Sequence, residues 1–91
     1  MTYTLAFTGR AADDIVNAFE WYEVRRSGLG AEYLTALNRT FDLVQHMPTA
    51  GPEIQPGVRR LLLKNFPYAI YYSIGVQTVE ILGCLHQRRL R

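Results

Sequence analysis

The stretch PTAGPEIQPG, residues 48–57, divides the chain into two parts that obey different periods. Its prolines and glycines remove backbone donors and favour turn conformations, so it reads as a loop rather than as a helix or strand. Before it, Ala12, Ile15, Phe19 and Tyr22 recur at three- and four-residue steps, and Leu34, Leu37, Phe41 and Val44 repeat the pattern. That spacing places each set on one stripe of a helix. After it, VRRLLLKN, YAIYYSI and TVEILGCLHQ are rich in β-branched and aromatic residues and are separated by NFP and GVQ. Those three segments predict an antiparallel three-strand meander.

The remaining punctuation completes the order of elements. Tyr3, Leu5 and Phe7 alternate with Thr4 and Ala6, predicting a short first strand. Thr8 is positioned to cap the first helix, with Asp13 and Asp14 near the positive end of its dipole. SGLG, residues 27–30, breaks that helix, and so short a connection folds the second back antiparallel to the first. The second helix ends near His46, whose ring is placed to cap backbone carbonyls. The expected fold is α+β in the order β-α-α-β-β-β, with the helical hairpin packed on one face of a small, mainly antiparallel sheet.

A chain of 91 residues sustains a single domain, taken as 1–91, and its 48% hydrophobic content is that of a folding sequence. No apolar run is long enough to span a bilayer, and the opening MTYTLAF lacks a basic leader, so a cytoplasmic location and no membrane partner are expected. The single cysteine, Cys84, sits between leucines and reads as a small buried hydrophobe. Charge is uneven along the chain. Residues 1–56 carry four Lys/Arg against seven Asp/Glu, a net of −3, while residues 57–91 carry six against Glu80 alone, a net of +5. The second part therefore attracts anionic partners, either nucleic acid or an acidic protein segment.

Alternation along strands predicts which residues share a face. Three-residue loops at 65–67 and 75–77 pair Lys64 with Tyr68, Arg60 with Tyr72, Tyr72 with Glu80 and Tyr68 with Cys84. One face then carries Arg60, Leu62, Lys64, Tyr68, Ile70, Tyr72, Glu80, Leu82, Cys84, His86 and Arg88. Its apolar middle and basic, aromatic rim give it the composition of a binding surface. Leu61, Leu63, Ala69, Tyr71, Val79, Ile81, Gly83 and Leu85 form the other face and are expected to meet the helices. A slip of one residue in either hairpin overturns this partition.

At GVRRLLLKNFPYAIYY (57–72) and ILGCLHQRR (81–89) the sequence resembles the RelE/ParE family of bacterial toxins, especially its ParE-like members. FTGRAADDI and the SGLG connection extend the likeness to the helical hairpin. The resemblance implies the toxin of a type II toxin–antitoxin pair, of the kind associated with plasmid stabilization, bound and neutralised by a cognate antitoxin in a hetero-oligomer. Two targets follow from it. ParE-like proteins poison DNA gyrase, and RelE-like proteins are metal-independent endonucleases that cleave messenger RNA on the ribosome. For the nuclease, Arg60, Lys64, His86 and Arg88 are the candidate catalytic residues, as phosphate clamps and a proton-transfer group. Basic residues that RelE-like nucleases carry on the second and third strands fall here on Leu62 and Ala69, which favours the gyrase reading. Gyrase poisoning needs a rigid surface and no catalytic set, and Arg60, Leu62, Lys64, Tyr68, Tyr72, His86, Arg88 and Arg89 are the candidates for contact with the target or with the antitoxin. A non-toxic module that binds only its antitoxin is the third possibility. No cofactor is expected, and neither histidine forms a metal pattern with Cys84 or a carboxylate.

Overall fold

The computed structural model describes residues 2–90, with the backbone alone at 89 and 90. Strand β1 (Thr4–Phe7) leads into helices α1 (Gly9–Arg25) and α2 (Leu29–His46), and then into β2 (Glu53–Gln55), β3 (Val58–Leu62), β4 (Tyr68–Ile74) and β5 (Thr78–His86). Short 3-10 turns occupy Pro48–Ala50 and Gln87–Leu90. The sheet order is β1-β5-β4-β3-β2, with β1 parallel to β5 and every other pair antiparallel. This is the α+β arrangement expected, with one addition. The proline-rich segment is not wholly loop, because Glu53–Gln55 pairs with β3 across a bulge as an exposed edge strand. Pro52 and Pro56 flank it, a pattern tolerated at a sheet edge where missing donors leave no ladder bond unmade.

Local chemistry fixes the helical hairpin. The Thr8 hydroxyl accepts from Ala11 N–H at 3.0 Å, capping α1, and donates to the Leu82 carbonyl at 3.1 Å, tying the same residue to β5. The turn into α2 uses Gly28 at φ 91°, a left-handed conformation that suits glycine. The Glu23 carboxylate accepts from the N–H groups of Gly28 and Gly30 at 3.0 and 2.9 Å, satisfying donors that the start of α2 leaves open. A Cβ at Gly30 would stand 2.7 Å from Glu23 and Phe19, so a side chain there would push the two helices apart.

The register differs from the expectation by one residue in the first hairpin and, in the second, by one residue up to a bulge and two beyond it, and the consequence is large. Arg60 pairs with Tyr71 and Leu62 with Ala69, while Ile74 pairs with Val79 and Tyr72 with Ile81. A four-residue connection, Lys64–Pro67, replaces the expected three. Leu63 N–H closes it on the Tyr68 carbonyl at 2.9 Å, Asn65 takes φ 70°, and Phe66 turns in against Tyr22 and Tyr33. Beyond Tyr72 a bulge leaves Leu82 without a cross-strand partner, after which Ile70 meets Cys84 and Tyr68 meets His86. Strand β4 is thereby inverted relative to the expected partition. Tyr68, Ile70 and Tyr72 enter the core with Val79, Ile81 and Cys84. Burying two tyrosines and an isoleucine removes more apolar area from water than burying Ala69 and Tyr71, which is the physical reason for the slip.

Candidate binding surfaces

The structure disperses the surface expected from sequence over three places and the interior. On the sheet side away from the helices, Arg60 and Leu62 lie along β3 opposite Tyr71 and Ala69. Leu62 is 56% exposed and Arg60 half-buried, its backbone N–H held by the Pro52 carbonyl at 3.1 Å. Tyr71, assigned to the core from sequence, belongs to this open side, and its buried hydroxyl has no hydrogen-bond partner among the described residues. Alternation gave no warning of it, because Tyr68, Tyr71 and Tyr72 suit either face equally well.

Tyr72 is wholly buried and structural. Its hydroxyl accepts from Gly51 N–H at 2.9 Å and donates to the Pro48 carbonyl at 2.7 Å, and Arg59 donates to the Gly51 carbonyl at 2.8 Å. Burial raises the Tyr72 phenol, partly offset by the Gly51 bond and the Arg59 charge, so it stays neutral and cannot serve as an open-face anchor. This corrects its placement beside Arg60.

Tyr68, His86 and Arg88 do come together, but on the helix side. Tyr68 is 7% exposed and packs on Tyr22 and Tyr33, while its ring meets His86 edge-on at 5.1 Å. His86 Nδ1 accepts from Arg88 N–H at 3.1 Å, which leaves Nε2 to carry the ring proton. With Trp21 of α1 these residues line a cleft of about 200 Å3, and an adjoining hollow of about 210 Å3 reaches Asp14 and Asn17. Trp21 is missing from the sequence-derived site. Its signal was available, since an exposed tryptophan one helical turn before Arg25 is an unusual surface feature, and the Arg25 guanidinium lies 3.7 Å from its ring centre. Asp14 closes the far end by accepting from Cys84 N–H at 3.0 Å.

Lys64 goes elsewhere again. The lengthened turn carries it to a groove beside α2, where it shares the rim with Arg39. The side chain of Arg89 and all of Arg91 lie outside the described residues. Cys84 is buried with its sulfur 3.3 Å from the Tyr33 hydroxyl, and burial pushes its thiol up to about 11, consistent with a packing role rather than a nucleophile. Among the described residues no cluster of three or more His, Cys, Asp or Glu could hold a metal ion, and no helix is long and apolar enough to cross a membrane.

No protein-family model matches the sequence, and no curated protein matches it. Solved structures do match its shape. A chain from the chromosomal ParDE TA system of P. aeruginosa superposes with a TM-score of 0.80 at 21% identity, covering 93% of this chain and 96% of that one. A mutant of E. coli toxin RelE, in complex with a peptide of antitoxin RelBc, gives a TM-score of 0.66 at 19% identity, covering 92% and 82%. The class defined by element order, sheet order and these superpositions is the ParE/RelE fold. Within it the ParDE chain is the nearer in shape of these two.

Proposed function

We propose that this chain is the toxin of a type II toxin–antitoxin pair, that it acts in the ParE-like manner on DNA gyrase in the cytoplasm, and that a cognate antitoxin neutralises it. The observation that carries this reading is the superposition on the ParDE chain over almost the full length of both molecules. The open side of the sheet supports the same choice of target. Ribonuclease chemistry needs cations converging on one phosphate. Leu62 and Ala69 instead put aliphatic groups beside Arg60, while Lys64 stands in the α2 groove and His86 with Arg88 in the Trp21 cleft. Losing a charge that stabilises a transition state typically costs about 3–4 kcal/mol of barrier reduction. A surface that holds another macromolecule needs no such convergence, and Arg60, Leu62 and the half-buried Tyr71 ring offer a cation, an apolar knob and an aromatic face for that task.

The test compares both targets with one preparation. Inhibition of gyrase supercoiling with ribosome-bound message left intact is the expected result. Message cleavage with supercoiling untouched would replace this reading with the RelE-like one. Unimpaired growth on induced expression of the chain alone would leave a non-toxic antitoxin-binding module.

A further inference from the structure

The cleft between α1 and β5 carries opposite charge at its two ends. At one end the Asp14 carboxylate uses a single oxygen, Oδ2, to accept from Cys84 N–H at 3.0 Å and to face Arg10 at 3.8 Å. A Cβ at Gly83 would stand 3.2 Å from that oxygen, so the glycine lets the carboxylate lie close against β5. Oδ1 has no hydrogen-bond donor among the described residues, and Asn17 shares the hollow with it. At the other end stand His86, with its Nε2–H, and Arg88. Arg88 is exposed and has no carboxylate within ion-pair distance among the described residues. Neither Glu20 nor Glu23 lines the cleft. Between the ends run the rings of Trp21, Tyr68 and His86, common to both hollows. Trp21 is 46% exposed, and Arg25 covers one face of its ring, whereas Asp14 and Asn17 come from the turns of α1 before it. The stretch from Asp14 to Trp21 climbs about 10 Å of helix.

We propose that this cleft binds a purine nucleoside monophosphate, with the base against Trp21, an exocyclic amino group donating to Asp14, and the phosphate on Arg88 and His86 N–H. The two ends select a ligand with a hydrogen-bond donor at one extremity, an anion at the other and a flat ring between them. An aromatic side chain stacks on any base, and a guanidinium is well shaped to hold phosphate. Other ligands leave part of the cleft unmatched. Inorganic phosphate uses neither the rings nor Asp14. A zwitterionic amino acid carries its two charges on adjacent atoms, too close together to reach both ends. An acidic peptide meets the Asp14 carboxylate, and a basic one meets Arg88. The phosphate itself is kept from Asp14 by the length of the base and sugar, and Arg10 with Cys84 N–H already offsets that carboxylate. The cleft lies on the helix side, across the sheet from Arg60, Leu62 and Tyr71, so its ligand is independent of what the open side holds.

Trp21 is the single tryptophan of the chain, so its fluorescence reports directly on the cleft. Titrating the full chain with guanosine monophosphate is expected to quench it, after correction for absorption by the purine, and to shift amide resonances of residues 14–21 and 84–88. Inosine monophosphate lacks the amino group and uridine monophosphate has the smaller ring, so both should bind several-fold more weakly. Inorganic phosphate and ribose phosphate should compete poorly. Arg88→Gln should weaken guanosine monophosphate about tenfold, and Trp21→Phe, read by the amide shifts, should weaken it less than Trp21→Ala. Arg60→Glu should leave binding unchanged. Arg88 is exposed, and a circular-dichroism melt checks that each variant folds. A single-stranded DNA with a terminal guanosine phosphate distinguishes the source of the nucleotide. Tighter binding of the strand, lost with Arg88→Gln, assigns the cleft to a strand end, and equal or weaker binding assigns it to the free nucleotide. Absence of binding by either, affinity indifferent to both Arg88→Gln and Trp21→Ala, shifts centred outside the cleft, or equally tight binding of inorganic phosphate would each overturn the inference.

Discussion

The two sides of the sheet carry similar kinds of side chain and meet opposite surroundings. Under the helices, Tyr68, Ile70, Tyr72, Val79, Ile81 and Cys84 are at most 7% exposed, and they share a cluster with Tyr22, Tyr33, Leu37 and Val44 of the hairpin. On the other side Leu62 remains 56% exposed and Tyr71 lies along the sheet next to Arg60. A tyrosine and an aliphatic residue thus serve as core on one side and as candidate contact surface on the other. Residue type alone does not separate the two. The separation comes from register, which decides which side of each strand receives the helical layer.

The sharpest way to break this comparison is to truncate one residue from each side. Ile70→Ala should destabilise the fold by about 2–5 kcal/mol, because it opens a cavity beneath the helices. Leu62→Ala should cost less than about 1 kcal/mol, because Leu62 is already largely wet. Urea denaturation measures both, and a similarly small cost for the two would restore the partition expected from alternation, which put Ile70 beside Leu62 on the open face.

Alkaline titration sharpens it next. The Cys84 thiol sits at about 11 in the folded chain against an ordinary 9.0, because burial disfavours the thiolate. Below pH 9 both folded and unfolded chains keep the proton and stability is flat. From pH 9 to about 11 the unfolded chain releases the proton and the folded chain holds it. Stability should then fall by up to about 1.4 kcal/mol per pH unit. Buried Tyr33 and Tyr72, both raised mainly by burial, add to the loss above pH 10. Cys84→Ala should flatten the first part of this decline in denaturation midpoints measured against pH.

Smaller effects probe the ties between hairpin and sheet. Asp14→Ala removes the acceptor for Cys84 N–H and should cost about 1–2 kcal/mol, with Asp14→Asn recovering much of it, as thermal melts would show. Glu23→Ala uncovers the N–H groups of Gly28 and Gly30 and should cost about 1 kcal/mol, with faster amide exchange confined to the start of α2.

The helical hairpin was legible in its ends and in the stripe of α2, whereas in α1 Ala12, expected on the inward stripe, is exposed and Ala11 and Ala18 are buried instead. Thr8, SGLG and the stripe Leu37, Phe41 and Val44 appear where their chemistry put them, because a helix fixes its own inward face through bonds made within one segment. Strand β3 was also legible, with Leu61 and Leu63 inward and Arg60 and Leu62 outward. The site was read less well. Lys64 and Arg60 were placed together, yet the turn separates them once Phe66 is drawn into the tyrosine cluster. Trp21 joins His86 and Arg88 only through the packing of α1 against β5. No spacing along the chain encodes either event.

From the sequence alone came the class of fold, the order of all elements but the short edge strand, and the concentration of positive charge in the second part of the chain. Periodicity, capping and composition are local quantities, each written within a few neighbouring residues. The tertiary structure decided which tyrosines are core, where the bulge falls, and how the cations divide between the open side, the Trp21 cleft and the α2 groove. Each of those outcomes rests on a one-residue difference, in a turn or at the bulge within the β4–β5 pair, and its energy comes from side chains distant in sequence that meet only after folding.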